Sequence, residues 1–246
     1  MGKRIAVVTG GIGGLGTEIC KALAHAGRTV IAVDLDSREQ RIAAFAQEVE
    51  GLDIRFAAAN VAEYESCGAL VRAIEQQHGA LDILVNNAGI TRDAMLRKMD
   101  RAQWDAVLDV NLGSAFNLCG HAVAGMQARG FGRVVNISSV SGQTGNFGQT
   151  NYAAAKAGLH GFTMSLARET ATKGITVNSI SPGYIETAMT GAMPPEVLTR
   201  ITGSIPAGRL GQPADIARTV AFLSDDAAGY ITGANVPVNG GMFMSF

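Results

Sequence analysis

A glycine-dense turn stands directly behind the first β-branched run of this chain: Arg4–Thr9 leads into Gly10-Gly11-Ile12-Gly13-Gly14-Leu15-Gly16, and a helical pattern follows. Strand, glycine loop and helix in that order restrict the chain to folds in which a strand feeds a tight turn and a crossover helix. Glycines let the turn take positive φ, and they let backbone N–H groups and the positive helix end face a pyrophosphate. Two spacings coexist in the run, Gly11-x-Gly13-x-x-Gly16 and Gly10-x-x-x-Gly14-x-Gly16. A glycine pattern by itself is weak, because a tight turn with no ligand uses the same residues. The remainder of the chain has to supply the context.

It does so by rhythm. Short runs at Thr29–Val33, Ile54–Ala58, Ile83–Asn86, Val134–Ser138, Thr176–Ile180 and Asn235–Val238 alternate with amphipathic segments. Those segments lie near Gly14–Ala26, Ser37–Val49, Glu63–His78, Arg101–Ala128, Thr150–Thr172, Pro194–Thr202 and Pro213–Leu223. With right-handed crossovers, this predicts one doubly wound, Rossmann-like α/β domain over residues 1–246, a seven-stranded parallel sheet flanked by helices. A hydrophobic fraction of 47% against 17% charged residues suits strands covered on both faces. The stretch Tyr184–Pro206, rich in Gly, Pro, Met and Thr, reads as a lid or as an ordinary exposed helix and loop.

Charge and cysteine usage exclude other classes. A net charge of −1 leaves no basic field for nucleic acid, so small molecules are the expected partners. Cys20, Cys67 and Cys119 form no C-x-x-C pair, and His25, His78, His121 and His160 show no ligand spacing, so no metal is expected. The apolar run Ile5–Val8 after Lys3 and Arg4 is too short for a secretory core, no stretch is long enough to span a membrane, and position 6 lacks the Ser or Thr of a myristoylation signal. The expectation is a cytoplasmic protein with no membrane partner.

At the end of the second strand stands Asp34, where a carboxylate accepts hydrogen bonds from ribose hydroxyls and repels a 2′-phosphate. It argues for NAD(H) as the preferred cofactor, with NADP(H) possible. No basic residue within the glycine loop opposes this, while Arg38 either swings toward a phosphate or is a solvated helix residue. Further along, Ser139, Tyr152 and Lys156 are spaced so that Tyr152 and Lys156 share one helix face and Ser139 sits at the carboxyl edge of its strand. A nearby ammonium lowers the phenol's pKa from about 10 toward working pH, as general acid–base chemistry requires. Alone, such a pair is more often a core tyrosine beside a surface charge.

In order along the chain, the glycine loop, Asn86-Asn87-Ala88-Gly89, Asn111, Ser139, Tyr152, Lys156 and Pro182-Gly183 closely resemble the short-chain dehydrogenase/reductase family, over essentially the whole length. The resemblance implies a catalytic tetrad of Asn111, Ser139, Tyr152 and Lys156, with Asn111 holding a water in a relay to Lys156. It also implies that Gly10 to Gly16 cradle the dinucleotide and that Asn60 and Val61 lie by adenine. Asn87, Ala88 and Gly89 line the cofactor, Tyr152 and Lys156 meet the nicotinamide ribose, and Pro182, Gly183, Ile185 and Thr187 approach the nicotinamide. Asn60 departs from the family, which more often has Asp there, though an amide also bonds adenine. A dinucleotide sensor of this fold would tolerate loss of Ser139, Tyr152 or Lys156, yet all three are present.

Within the family, the runs Gly89–Asp93, Asn136–Val140, Gly148–Tyr152, Lys156–Thr163 and Ser181–Tyr184 look most like the acetoacetyl-CoA reductases of polyhydroxybutyrate synthesis. The nearest rivals are the 3-oxoacyl-carrier-protein reductases of fatty-acid synthesis. The first resemblance implies reduction of acetoacetyl-CoA, an acyl-CoA thioester, to (R)-3-hydroxybutyryl-CoA, and enzymes of that kind commonly use NADPH, from which Asp34 departs. With NAD⁺ the same chemistry runs backward as a 3-hydroxyacyl-CoA dehydrogenase. Asn146, Phe147, Gln149 and Tyr184 are expected near the acyl and pantetheine parts, Gln149 and Tyr184 as hydrogen-bonding groups and Phe147 as an apolar wall; the alternative is loop residues packing on the lid. The apolar helices Arg101–Ala128 and Thr150–Thr172 and the uncharged end Met242–Phe246 suggest self-association, which the family resemblance makes a homotetramer. The alternative is a tail packed on its own subunit.

Overall fold

A computed structural model describes residues 3–191 and 194–244. The strands are β1 (Ile5–Thr9), β2 (Thr29–Asp34), β3 (Ile54–Ala58), β4 (Ile83–Asn86), β5 (Gly132–Ile137), β6 (Ile175–Pro182) and β7 (Asn235–Val238). They form one seven-stranded sheet in the order β3-β2-β1-β4-β5-β6-β7, with every neighbouring pair parallel. The helices are α1 (Gly14–His25), α2 (Glu39–Glu48), α3 (Tyr64–His78), α4 (Arg101–Leu108), α5 (Ser114–Arg129), α6 (Ser141–Thr144), α7 (Thr150–Thr170), α8 (Ala188–Gly191), α9 (Pro195–Ser204) and α10 (Pro213–Leu223).

Alternation along β1 explains the two-sided core. Ala6 and Val8 join Ile19, Leu23, Ile216 and Val220 of α1 and α10 in one buried cluster, whereas Ile5 and Val7 join Val71, Ile74, Leu118 and Met126 of α3 and α5 in another. Successive strand residues point to opposite faces, so a strand covered on both sides has no polar alternation to show. The order of strands turns between β1 and β4, and at such a point two strand ends open a crevice at their carboxyl edge.

One expected element is different. The segment expected as a single helix from Arg101 to Ala128 is α4, a π-helical stretch Asp109–Gly113, and α5. The widened turn is where buried Asn111 sits, its Nδ2 donating to Val107 O one turn back and to Ile90 O, both at 2.9 Å. Such single widened turns are rare and mark places where a side chain is re-aimed. The lid candidate Tyr184–Pro206 contains α8 and α9, with Ala192 and Met193 outside the described residues; of the C-terminal segment, Ser245 and Phe246 also fall outside.

Candidate active site

The glycine loop closes between β1 and α1 as backbone packed on backbone. Gly10 takes φ of 60°, and a Cβ on Gly16 would run into the Gly10 carbonyl. A Cβ on Gly11 would meet Ala32 Cα of β2 at 2.8 Å. Gly14, by contrast, is exposed, with only Thr187 Cγ2 within 4.0 Å of a built Cβ. The N-cap Gly13 provides no side-chain cap, so the first N–H groups of α1 are left for another acceptor. That combination fits a dinucleotide pyrophosphate, for which backbone donors and the positive helix end are the matching chemistry.

The end of β4 is tied to this loop. Thr9 Oγ1 accepts from Asn87 N and from Ala88 N, each at 2.9 Å, and Asn87 Nδ2 donates to Thr9 O at 2.8 Å. Asn60 is held by its own turn, donating through Nδ2 to Glu63 and accepting at Oδ1 from Ala62 N, while Asn117 Nδ2 donates to Val61 O. On the far side Val140 N donates to Pro182 O, and Gly183 N to Val238 O. Gly183 lies against Asn239, and Ile185 is buried and bridges to Gly211.

Asp34 is largely buried at the end of β2, and Arg38 Nη1 donates to its Oδ2 at 3.0 Å. Arg38 is solvent-exposed, with its guanidinium paired to the carboxylate it was set against. Nor is the loop without a cation. Arg41, one turn along α2, donates to the Ile12 carbonyl and to Thr17 Oγ1 while pairing with Glu48. Sequence spacing shows that Arg38 and Arg41 share a helix face, but not that the face lies against the glycine loop.

The four expected catalytic groups split into two contacts. Asn111 Oδ1 is buried and has no hydrogen-bond partner among the described residues, and a Cβ on Gly89 would lie 2.6 Å from it and 3.6 Å from Lys156 Nζ. Asn111 and Lys156 thus converge on Gly89. An orphaned acceptor beside an amine is the setting in which a bridging water fits. Ser139 stands one residue past Ser138 at the carboxyl edge of β5, its Oγ accepting from Ser141 N, and its hydroxyl interacts with the Tyr152 phenol. Lys156 Nζ is 5.7 Å from the Tyr152 ring centroid and donates to Ile137 O at 2.7 Å.

These positions reverse the expected electrostatics of the phenol. Burial pushes Tyr152 above its ordinary pKa; the Ser139 hydroxyl draws it back, and the Asp93 carboxylate adds to the rise. Burial also lowers Lys156, to about 8. Two desolvated groups each disfavour their charged form, and this outweighs the attraction the sequence suggested. A phenol held neutral is a proton donor, and an amine that loses its proton near pH 8 can exchange one.

Behind Lys156 runs a polar chain. Ser138 Oγ donates to Lys156 O at 2.8 Å and lies 3.1 Å from His160 Nε2, while His160 Nδ1 lies 3.3 Å from Ser179 Oγ, which donates to Asn235 Oδ1. His160, which has no ligand spacing in the sequence, connects the end of β5 to β6 beneath the lysine, and burial lowers its pKa.

Of the residues expected on the substrate side, Gln149 Oε1 accepts from Asn146 Nδ2, and its Nε2 donates to Asp93, both at 2.9 Å. Phe147 projects into solvent between Gly145 and Gly148, which have φ of 72° and 76°. Tyr184 lines a cleft of about 460 Å³ with Ile205, Arg209 and Phe222; no hydrogen bond links it to Gln149 or Tyr152 among the described residues. Asp93, Thr9 and Ser138 stood in the sequence only as members of longer runs, with no role of their own, and Arg41 went unremarked, since ordinary polar residues acquire meaning only from what they face.

A family model described as Enoyl-(Acyl carrier protein) reductase matches residues 10–243. The chain is 55% identical to the acetoacetyl-CoA reductase of Allochromatium vinosum over 243 residues, covering 98% of this chain and 99% of that one. It is 51% identical to the acetoacetyl-CoA reductase of Cupriavidus necator, covering 99% of this chain and all of that one. Identity to the 3-oxoacyl-[acyl-carrier-protein] reductase of Vibrio cholerae is 46%, covering 98% of both.

The lysine's lowered pKa has a consequence for stability. Between about 8 and the ordinary 10.5 the unfolded chain binds more protons at this position than the folded one, so folding gains stability as pH rises through that window. Lys156→Met removes the term. Urea denaturation at pH 8 and pH 10 is expected to show wild type gaining on the variant by roughly 1–3 kcal/mol; a constant difference would contradict the burial of the charge.

Proposed function

The chain belongs to the short-chain dehydrogenase/reductase family, and we propose that within it this protein reduces acetoacetyl-CoA to (R)-3-hydroxybutyryl-CoA, with Asn111, Ser139, Tyr152 and Lys156 as the catalytic group. The family's chemistry requires a nicotinamide cofactor. The observation that carries the residue assignment is the Tyr152 phenol, kept neutral by burial, in contact with the Ser139 hydroxyl and one helical turn from Lys156.

When bound, the nicotinamide supplies a hydride to the ketone carbon. Ser139 donates a hydrogen bond to the ketone oxygen, and Tyr152 transfers its phenolic proton to that oxygen, so the carbonyl becomes an alcohol. Lys156 stabilises the phenolate that remains, and the orphaned Asn111 Oδ1 holds a water through which the amine and phenol are reprotonated. Gly10 to Gly16 hold the pyrophosphate by backbone N–H groups, Asn87, Ala88 and Gly89 line the cleft between β1 and β4, and Pro182, Gly183, Ile185 and Thr187 bound the nicotinamide end. Asn60 and Val61 flank the adenine. Asn146, Phe147, Gln149 and Tyr184 contact the acyl and pantetheine parts.

Two related uses have support of their own. The identity to the Vibrio cholerae relative favours the carrier-protein thioester as an alternative substrate. Asp34 favours NADH over NADPH, and with NAD⁺ the same groups would oxidise a 3-hydroxyacyl-CoA. We place the protein in the cytoplasm, where its three buried free cysteines need no oxidant; among the described residues no helix is long and apolar enough to cross a membrane. It acts there as a homotetramer, supported by exposed Phe116 of α5 and the apolar cleft it lines with Leu112 of the π-helical stretch and Phe162 of α7.

Tyr152→Phe is expected to lower turnover of acetoacetyl-CoA by about 10²–10⁴-fold while NADH still binds by fluorescence titration; near-normal turnover would remove Tyr152 from the mechanism. In the same assay, efficient reduction of the carrier-protein thioester alone would replace the CoA reading. Asp34→Ala removes the carboxylate and frees Arg38, so the ratio of kcat/KM with NADPH to that with NADH is expected to rise at least about tenfold; an unchanged ratio would show that Asp34 does not set the preference. Light scattering is expected to give a tetramer that Phe116→Glu weakens, and a monomeric wild type would end the assembly claim.

A further inference from the structure

Three cations crowd one stretch of surface without counter-ions. Arg92, Arg97 and Lys98 lie within seven residues, all are exposed, and none has an ion-pair partner among the described residues. Arg101, Arg129, Arg209 and Arg218 each pair with a carboxylate, and the other exposed cations without an ion pair among the described residues, Arg55, Arg72, Arg168, Lys173 and Arg200, nowhere stand three together. An unmatched cluster in a chain of net charge −1 is a local field rather than part of a general basic surface.

The cluster is fixed beside the reacting groups. Ala94 N donates to Gly148 O at 2.9 Å, Gln149 Nε2 to Asp93 Oδ2 at 2.9 Å, and Asn151 Nδ2 to Arg92 O at 3.1 Å. At the other end of the segment Thr150 Oγ1 reaches Met99 Sδ. Both ends are therefore pinned to residues 148–151, directly before Tyr152, and the short turn carrying Arg97 and Lys98 stands between them at the rim. Phe147, which precedes Gly148, and Leu96, which opens the short turn, are 87% and 66% exposed.

A CoA thioester has the matching profile: a neutral reacting end, an uncharged arm, and a diphosphate with a 3′-phosphate at the far end. On the premise that the substrate is such a thioester, we propose that Arg92, Arg97 and Lys98 seat the CoA phosphates while Phe147 and Leu96 flank the arm. Guanidinium and ammonium groups are the ordinary donors to phosphate oxygens. A compact polyanion fits better than an acidic protein face, because Asp93, Asp100 and Asp105 interrupt and border the cationic strip.

The test compares acetoacetyl-CoA with acetoacetyl-N-acetylcysteamine, which keeps the reacting end and lacks the phosphates. The triple variant Arg92→Gln, Arg97→Gln, Lys98→Gln is expected to raise KM for acetoacetyl-CoA about tenfold at low ionic strength, with kcat retained and KM for the short thioester unchanged. Salt should raise the wild-type KM for acetoacetyl-CoA and not for the short thioester, a measurement that needs no variant. An unchanged KM for acetoacetyl-CoA, or an equal rise for both thioesters, would overturn the phosphate seat while leaving the reductase reading intact. A KM rise confined to the carrier-protein thioester would overturn it in favour of a protein partner. Wild type that reduces neither small thioester would overturn the reductase reading and the seat with it.

Discussion

The Thr9 hydroxyl spans the point where the strand order turns, accepting two backbone N–H groups from Asn87 and Ala88 and lying 3.4 Å from Val85 O. It joins the end of β1, which begins the glycine loop, to the end of β4, which leads to Gly89. Two parallel strands share their ladder only as far as Val8 and Val85; beyond it their chains diverge to form the crevice. Without a bridge there, the half-buried N–H groups of Asn87 and Ala88 would lose their partner, at a cost of up to about 1 kcal/mol each. The relation between the glycine loop and the position occupied jointly by Asn111 and Lys156 follows from this junction.

A second constraint is desolvation. Lys156 is buried, and among the described residues its Nζ donates to the Ile137 carbonyl, not to the phenol beside it. The lysine's own backbone carbonyl is fixed by Ser138, which His160 and Ser179 brace from behind, and Gly142 lets α6 lie directly against the Lys156 backbone. The helix position of Lys156 is thus set by a polar network in the sheet, and its proton affinity by the lack of water around it. Together they give a neutral phenol and an amine whose pKa is lowered to about 8, the states that the proposed ketone reduction would use.

Much of this was readable from local pattern. The boundaries of β3, β4, β7 and α10 coincide with their sequence-based limits, because β-branched runs and apolar periodicity are set by neighbours a few residues apart. The order of the glycine loop, Asn87, Ser139, Tyr152 and Lys156 is likewise a property of the chain, and it sufficed to identify the family. Asn111 was legible only through that resemblance; the widened turn that aims it has no periodic signature, since a single added residue in a helix leaves the flanking patterns intact.

Tertiary structure decided what depends on partners distant in the chain. Arg41 gains its role from the approach of α2 to the Ile12 carbonyl, Arg38 from pairing with Asp34, and His160 from the spacing of β5 and β6. The direction of the Tyr152 shift belongs to the same class. Sequence alone placed a lysine one turn from a tyrosine and so fixed that they would be neighbours. Burial fixed which proton each would keep, because the cost of a charge is set by all the groups that exclude water from it, and those are assembled only when the chain is folded.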